Sequence, residues 1–256
     1  MRSTLPDVEE EHMHIWAHEL AQHLLVNHLV IASNSKFFDF TQASAFVVQF
    51  YDSRPLTPAA LYPIVEEQMA GFTKESIEAV ANTCHSYQAL TFDGIVDAVD
   101  QITDLLEKRR KLHGLDNDKF PSRLLVLEGI DQSLEEITRS SSVLLAQAKL
   151  APLLQKLTII SHTFFPKLSI LIVNSVGSSP FITASHPAPA LNSIFAVPAT
   201  EPGLVQKSHL SYSSPLAKSL DRAIDTHLLV SHVGPNITVE VAKDRTGDAL
   251  GRWCVL

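Results

Sequence analysis

Two short apolar runs, each closed by a polar residue, constrain the fold of this chain more than any other feature. The strands predicted from them are Ser122–Glu128, which ends in an acid, and Ser169–Ser175, which reaches its polar end at Asn174. A continuous apolar run of this length is typical of a strand that is buried on both faces of a parallel sheet. Open α/β sheets place functional sites at the carboxyl ends of such strands, so Glu128 and Asn174 are candidate site residues.

Helical patterns alternate with these strands. Apolar spacing predicts helices over His14–Ala32, Leu56–Ala70, Lys74–Ala81 and Thr91–Leu112, with Thr57 and Thr73 as N-caps of the second and third, and one or two helices over Leu134–Thr163. Further strands are predicted over Phe37–Phe40, Val80–Cys84, Thr226–Ser231, Ile237–Val241 and Arg252–Leu256. This order predicts an α/β fold with a mostly parallel sheet and antiparallel strands at its C-terminal end.

The length and composition indicate a single domain with a substantial core. The chain has 256 residues, of which 45% are hydrophobic and 19% are charged. A disordered tail is predicted over residues 1–12, and a long Ser/Pro-rich loop over 177–215. The charged fraction lies below the roughly 25% of soluble domains, which favours burial of some surface against a partner. Trp253 is predicted to be buried in the closing hairpin.

Charge and cysteine content exclude several classes of protein. A net charge of −8 excludes a generally cationic nucleic-acid coat. The basic run 108–111 ends a predicted helix, where cations favour the helix dipole, and acids follow it in the sequence. The two cysteines cannot form a disulfide framework, and no Cys-x-x-Cys is present. The acidic N-terminus lacks a signal-peptide pattern, and the apolar stretch Leu157–Gly177 is interrupted, so an intracellular protein without a membrane span is expected.

Metal and phosphate motifs are also missing. His14 and His18 have the one-turn spacing of a metal pair, but no third ligand follows them, so a solvated histidine face is predicted and no metal site. The first glycine is Gly71, and the chain has no Gly-Lys dipeptide. A phosphate-binding loop requires several glycines and a lysine, and this chain has no segment that could form one.

The C-terminal third nevertheless resembles a known family. Ser214–Ser231 is similar to a late segment of RecA-like recombinases, above all the eukaryotic recombinase paralogues, and Val239–Gly247 with Gly251–Trp253 is similar to their closing hairpin. The resemblance implies a RecA-like P-loop NTPase core in which the first strand and the phosphate loop are missing. That strand would lie between the strand ending at Asn174 and the strand starting at Thr226.

The same resemblance assigns remnants of a nucleotide site. Glu128 falls at the Walker B position with Asp131 nearby, Asn174 at the γ-phosphate sensor, and Asp39 at the end of the strand that carries the catalytic glutamate. Thr41 stands where that glutamate would be, so no catalytic residue is expected. ATP and Mg²⁺ are cofactors of the family and are not expected for this chain alone. Lys207 and Lys218, in or beside the second DNA-contacting loop, are the candidate DNA ligands.

The sequence therefore predicts a non-hydrolysing recombinase paralogue that acts as a scaffold or mediator subunit in homologous-recombination DNA repair. Its expected location is the nucleus. Expected partners are other paralogues or the recombinase, with single-stranded DNA as a further ligand. One alternative is a DNA-dependent ATPase paralogue whose phosphate loop is encoded upstream of this chain. Another is an unrelated α/β enzyme with a small-molecule site around Asp39, Glu128 and Asn174.

Overall fold

The computed structural model describes residues 8–34, 43–113, 121–174, 219–220, 222–233 and 236–255. Its helices are α1 Val8–Ser33, α2 Pro58–Gln68, α3 Lys74–Ala81, α4 Phe92–His113, α5 Ile130–Ser140 and α6 Val143–Thr163. Its strands are β1 Ala45–Phe50, β2 Cys84–Ala89, β3 Arg123–Glu128, β4 Leu168–Val173, β5 Thr226–Val233, β6 Asn236–Asp244 and β7 Trp253–Val255.

The first four strands form a parallel sheet in the order β2-β1-β3-β4. All the residues of β1 and β3, the two inner strands, are buried, as is typical of central strands in a parallel sheet. The last three strands form a second, antiparallel sheet in the order β5-β6-β7. The predicted α/β class and the mostly parallel sheet are confirmed, with the difference that the C-terminal strands make a sheet of their own.

Helices cover both faces of the parallel sheet. Alternate residues of β1 point to opposite faces: Phe46 and Val48 belong to the core under α4, α5 and α6, and Ala45 and Val47 to the core under α1, α2 and α3. The result is a three-layer arrangement in which the central strands are enclosed.

Local signals in the sequence account for the helix starts and for one helix pair. Thr57 and Thr73 cap α2 and α3 as predicted, by accepting backbone N–H groups in the first turn of each helix. Helices α4 and α6 run side by side in the same direction, and two ion pairs join them: Lys149 with Asp93 at 2.6 Å, and Lys156 with Asp100. The partners are spaced seven residues apart on each helix, which matches two turns.

Helix α6 is the one helix of the described residues that is long and apolar enough to cross a membrane by length and composition. Its inner side is buried through Leu150, Leu153 and Leu157, and its two lysines pair with α4. One side of α6 therefore packs against the rest of the fold.

Several predicted boundaries are wrong. Val80 belongs to α3 and the strand after it begins only at Cys84, because the chain completes the helix and turns through Asn82 first. Residues 8–12, predicted as part of a disordered tail, lie in α1. Strand β1 was not predicted, and the predicted strand Phe37–Phe40 lies outside the described residues, as does the Ser/Pro-rich loop 177–215.

The C-terminal sheet differs from the expected closed hairpin. Trp253 is 54% exposed, so the prediction that it is buried is wrong. It lies on the three-residue edge strand β7, opposite Glu240 of β6, where no layer of the described residues covers it fully. Helix α1 contacts both β4 and β5, the two strands that the resemblance would place on either side of the missing strand.

Candidate functional site

A buried polar network lies at the carboxyl end of the parallel sheet. The Glu128 side chain is 1% exposed, and both of its oxygens are bonded. Oε1 lies 2.7 Å from Nδ1 of His18 on α1, and Oε2 accepts a 2.6 Å bond from Nε2 of Gln49 on β1. A buried carboxylate is stable in such a place because its charge is compensated by hydrogen-bond donors.

Gln49 extends the network into the loop after β1. Its Nε2 also donates to the backbone oxygen of Arg54 at 2.6 Å, and its Oε1 accepts the N–H of Leu56 at 2.7 Å. One amide thus binds the Glu128 carboxylate and also holds the segment that leads into α2. The orientation of Glu128 is therefore determined from two sides.

Sheet register and helix periodicity explain why these three side chains meet. Gln49 and Glu128 are direct partners in the β1–β3 register, and both point to the face that α1 covers. His18 lies on the inward side of α1, in line with Ala21 and Leu25, which are buried against the sheet.

Sequence reasoning missed two of the three network residues. His18 was predicted to belong to a solvated histidine face, but it is 5% exposed, because α1 presents this side to the sheet. Gln49 belongs to a strand that was not predicted. The available signal was the single polar residue in the apolar run Phe46–Phe50, which marks a buried polar contact.

The rim above the network is formed by the ends of β1, β3 and β4. Gly129 follows Glu128 with φ of +82°, and a Cβ there would lie 2.7 Å from Phe50 Cβ and 2.9 Å from Ser53 Oγ, so only glycine fits. Within the described residues, Ser53 Oγ and Asn174 Oδ1 are buried without a hydrogen-bond partner. Asp131 lies beside them, in the first turn of α5.

The predicted site residues are thus only partly brought together. Glu128, Asp131 and Asn174 lie at the carboxyl end of the sheet. Asp39, Lys207 and Lys218 lie outside the described residues. Over the described ranges, no group of three or more His, Cys, Asp or Glu side chains could hold a metal ion.

The arrangement at Glu128 can do two things chemically. It can hold α1, β1 and β3 together and disfavour cation binding, because His18 and Gln49 bond the carboxylate oxygens that a cation would need. It can also orient an imidazole: the carboxylate holds His18 through Nδ1, and Nε2 makes no hydrogen bond within the described residues. A carboxylate that holds Nδ1 in this way fixes the ring and leaves the other nitrogen for proton transfer.

The opposite end of the sheet holds a second set of buried polar groups with shifted pKa values. Burial lowers the pKa of Arg123 to about 9, assisted by the charge of Arg109, and its Nη1 donates to the backbone oxygen of Ala43. Burial also lowers the pKa of His28, which donates to Ser44 O. Burial raises the pKa of the Cys84 thiol to about 12, which disfavours its thiolate form.

Comparison with known proteins adds no family assignment. No family model matches the chain, and no curated protein matches its sequence. The assignment of function therefore rests on the residues and on the geometry described above.

Proposed function

We propose that this protein is a non-hydrolysing RecA-like recombinase paralogue that serves as a scaffold or mediator subunit in homologous-recombination DNA repair. The observation that carries the proposal is the state of Glu128, the residue that resembles the Walker B acid. Both of its oxygens are bonded inside the protein and its side chain is 1% exposed.

A Walker B acid acts by helping to hold the magnesium ion of the bound nucleotide. Mg²⁺ requires accessible oxygen ligands in near-octahedral geometry. In this chain His18 and Gln49 take those oxygens, and His18 comes from the helix that would follow the phosphate loop in the resemblance. The residues present do not fit a magnesium–nucleotide complex, and no step of phosphoryl transfer is derived from them.

The sheet topology supports the RecA-like part of the proposal. The strand of Glu128 lies between β1 and the strand that ends before Asn174, so the Walker-B-like and sensor-like positions are neighbours. Helix α1 bridges β4 and β5, the position that the resemblance leaves without a strand. In this proposal the chain retains the family architecture without its nucleotide chemistry, and assembly is its remaining role.

The partners in this proposal are other recombinase paralogues or the recombinase itself, with single-stranded DNA as a further ligand, and the location is the nucleus. Large apolar side chains exposed on the described surface support an assembly role; they include Leu144, Ile159 and Trp253.

Nucleotide titration tests the catalytic part. The purified chain, titrated to millimolar concentration with a fluorescent ATP analogue and Mg²⁺, should show no saturable binding and no phosphate release. Micromolar binding would contradict the proposal. The assembly part is tested by size-exclusion chromatography with recombinant paralogues, where failure to co-elute with any of them would contradict it.

A second candidate function is favoured by the unpartnered atoms of Ser53 and Asn174 beside the His18–Glu128 pair. Buried polar groups without partners at the carboxyl end of a parallel sheet are typical of a small-molecule site. A thermal-shift screen of small polar metabolites tests this function. The function is supported if a metabolite raises the melting temperature of the wild type and fails to do so in both Ser53→Ala and Asn174→Ala.

A further inference from the structure

A group of cations lies at the amino-terminal end of the parallel sheet, where α4 ends and α6 turns into β4. We call this surface the basic end; it consists of four cations and one aromatic residue, namely Lys108, Arg110, Lys111, Lys167 and Phe165. The guanidinium of Arg110 lies 5.8 Å from the ring centroid of Phe164, the residue that ends α6. The N–H of Lys167 donates to Phe164 O at 2.7 Å. These contacts bring the end of α4 and the turn after α6 into one surface.

The four cations of the basic end make no ion pair within the described residues. Five other cations of the described residues are paired with acids: Lys74 with Glu78, Arg139 with Glu135, Lys149 with Asp93, Lys156 with Asp100 and Arg252 with Asp248. An unpaired cluster in a chain of net charge −8 creates a local positive potential that attracts anions.

An exposed aromatic ring, Phe165, lies in the same turn as Lys167 and follows Phe164, the ring that Arg110 contacts. Phe165 is 76% exposed, and its neighbours on either side anchor the turn that presents it. Proteins that bind single strands combine cations along the phosphate backbone with aromatic rings on which bases stack. The basic end presents both components on one small surface.

We propose that the basic end is a binding surface for single-stranded nucleic acid. Lys108, Lys111 and Lys167 contact phosphates, and Phe165 provides a stacking platform for a base. The site is separate from Lys207 and Lys218, the DNA ligands predicted from sequence. The proposal rests on the proposed function in so far as that function includes single-stranded DNA, but it does not depend on assembly with other paralogues.

Charge and size favour this ligand over the other anionic partners. One exposed ring provides little apolar area, whereas a stable protein interface buries roughly 1,200 Å² or more around an apolar centre. The helix dipole stabilises cations at the end of α4, but it does not explain why Lys167 and Phe165 join them from another segment.

The test is fluorescence anisotropy with labelled oligo(dT) at several salt concentrations, on the full chain. Phe165→Ala should weaken binding about five-fold or more, since stacking of one base contributes at least that factor. Lys108→Ala, Lys111→Ala and Lys167→Ala should each weaken binding and reduce the slope of log K against log salt by about 0.7. All four variants should keep the wild-type thermal transition.

Matched controls come from the other face of the molecule. Phe72→Ala removes an aromatic ring that is 58% exposed, and Lys74→Ala removes an exposed lysine of α3, and neither should change binding. The proposal is overturned if the wild type does not bind oligo(dT), if only Lys207→Ala and Lys218→Ala weaken binding, or if the basic end binds phosphatidylserine vesicles or acidic peptides instead. If the chain binds oligo(dT) through the basic end but co-elutes with no paralogue, the proposed scaffold function is contradicted and this binding site is still supported.

Discussion

The parallel sheet and the C-terminal antiparallel sheet use apolar and polar residues in opposite ways. In the parallel sheet the inner strands are enclosed on both faces, and even the polar residues Gln49 and Glu128 are buried and bonded to each other. In the C-terminal sheet, the large apolar side chains Leu228, Trp253 and Val255 are 45–54% exposed. The parallel sheet buries its inner strands and bonds their polar side chains within the fold, whereas the C-terminal sheet exposes apolar side chains that a partner could cover.

The largest expected effect comes from the pair Phe46 and Trp253, one aromatic residue in each sheet. Phe46 is 0% exposed in the core under α4, so Phe46→Ala should cost about 3–5 kcal/mol of unfolding free energy. Trp253→Ala should cost far less, because the ring is already half in solvent. Urea denaturation of both variants measures the difference.

The comparison fails if Trp253→Ala destabilises the isolated chain as much as Phe46→Ala does. If the two sheets differ as described, Trp253→Ala should instead weaken binding to a paralogue while the thermal transition is kept, since exposed aromatic residues are enriched at interaction surfaces. Phe72→Ala, another exposed ring, is the control for both measurements.

The next largest effect concerns the polar network of the parallel sheet. His18→Ala removes one partner of the buried Glu128 carboxylate and should cost about 1–3 kcal/mol, because a buried acceptor loses its hydrogen bond. His23→Ala, on the exposed side of the same helix, should change stability by less than about 0.5 kcal/mol. Equal unfolding midpoints for the two variants in urea would show that the network does not stabilise the fold.

The sequence could predict the layers of the fold better than the site within them. Helix caps, long helices and the strands at Glu128 and Asn174 follow from local residue patterns, and all of these are found near the predicted positions. The His18–Glu128 contact joins residues 110 positions apart, and no local pattern contains it. Strand β1 was not predicted because its apolar run contains Gln49, a polar residue whose partners are known only once the sheet is assembled.

Exposure of Trp253 could not be predicted for a similar reason. The alternation of Val239, Val241 and Trp253 is that of a packed hairpin, but alternation does not specify whether another layer covers the face. Of the site residues inferred from the resemblance, Glu128 and Asn174 lie at one edge because parallel strands align their carboxyl ends. Their bonding partners come from other elements, which only the tertiary structure identifies.

A smaller, pH-dependent effect is expected at the amino-terminal end of the parallel sheet. Burial lowers the pKa of His28, so the folded protein binds its proton less readily than the unfolded chain does. Stability should therefore rise with pH between the folded pKa and the unfolded value of about 6.5, and fall on acidification through that window. Thermal unfolding between pH 7.5 and 5.5 should show a weaker pH dependence in His28→Gln than in the wild type, and an unchanged dependence would exclude His28 as its source.

The smallest expected effect concerns the turn between β6 and β7. Asp244 Oδ2 accepts the N–H of Ala249, and its Oδ1 accepts those of Thr246 and Gly247, each at 3.0 Å. These bonds lower the pKa of Asp244, the bond from Ala249 most, so their contribution to stability is present above the unfolded pKa and is lost as pH falls through the folded one. Asp244→Ala should raise amide hydrogen exchange at Thr246, Gly247 and Ala249 at neutral pH and leave exchange in β1 and β3 unchanged. Asp244→Asn keeps one acceptor oxygen and should have an intermediate effect. If Asp244→Ala also raised exchange in the parallel sheet, the two sheets would unfold as one cooperative unit. The contrast drawn between the parallel sheet and the C-terminal sheet would then be wrong.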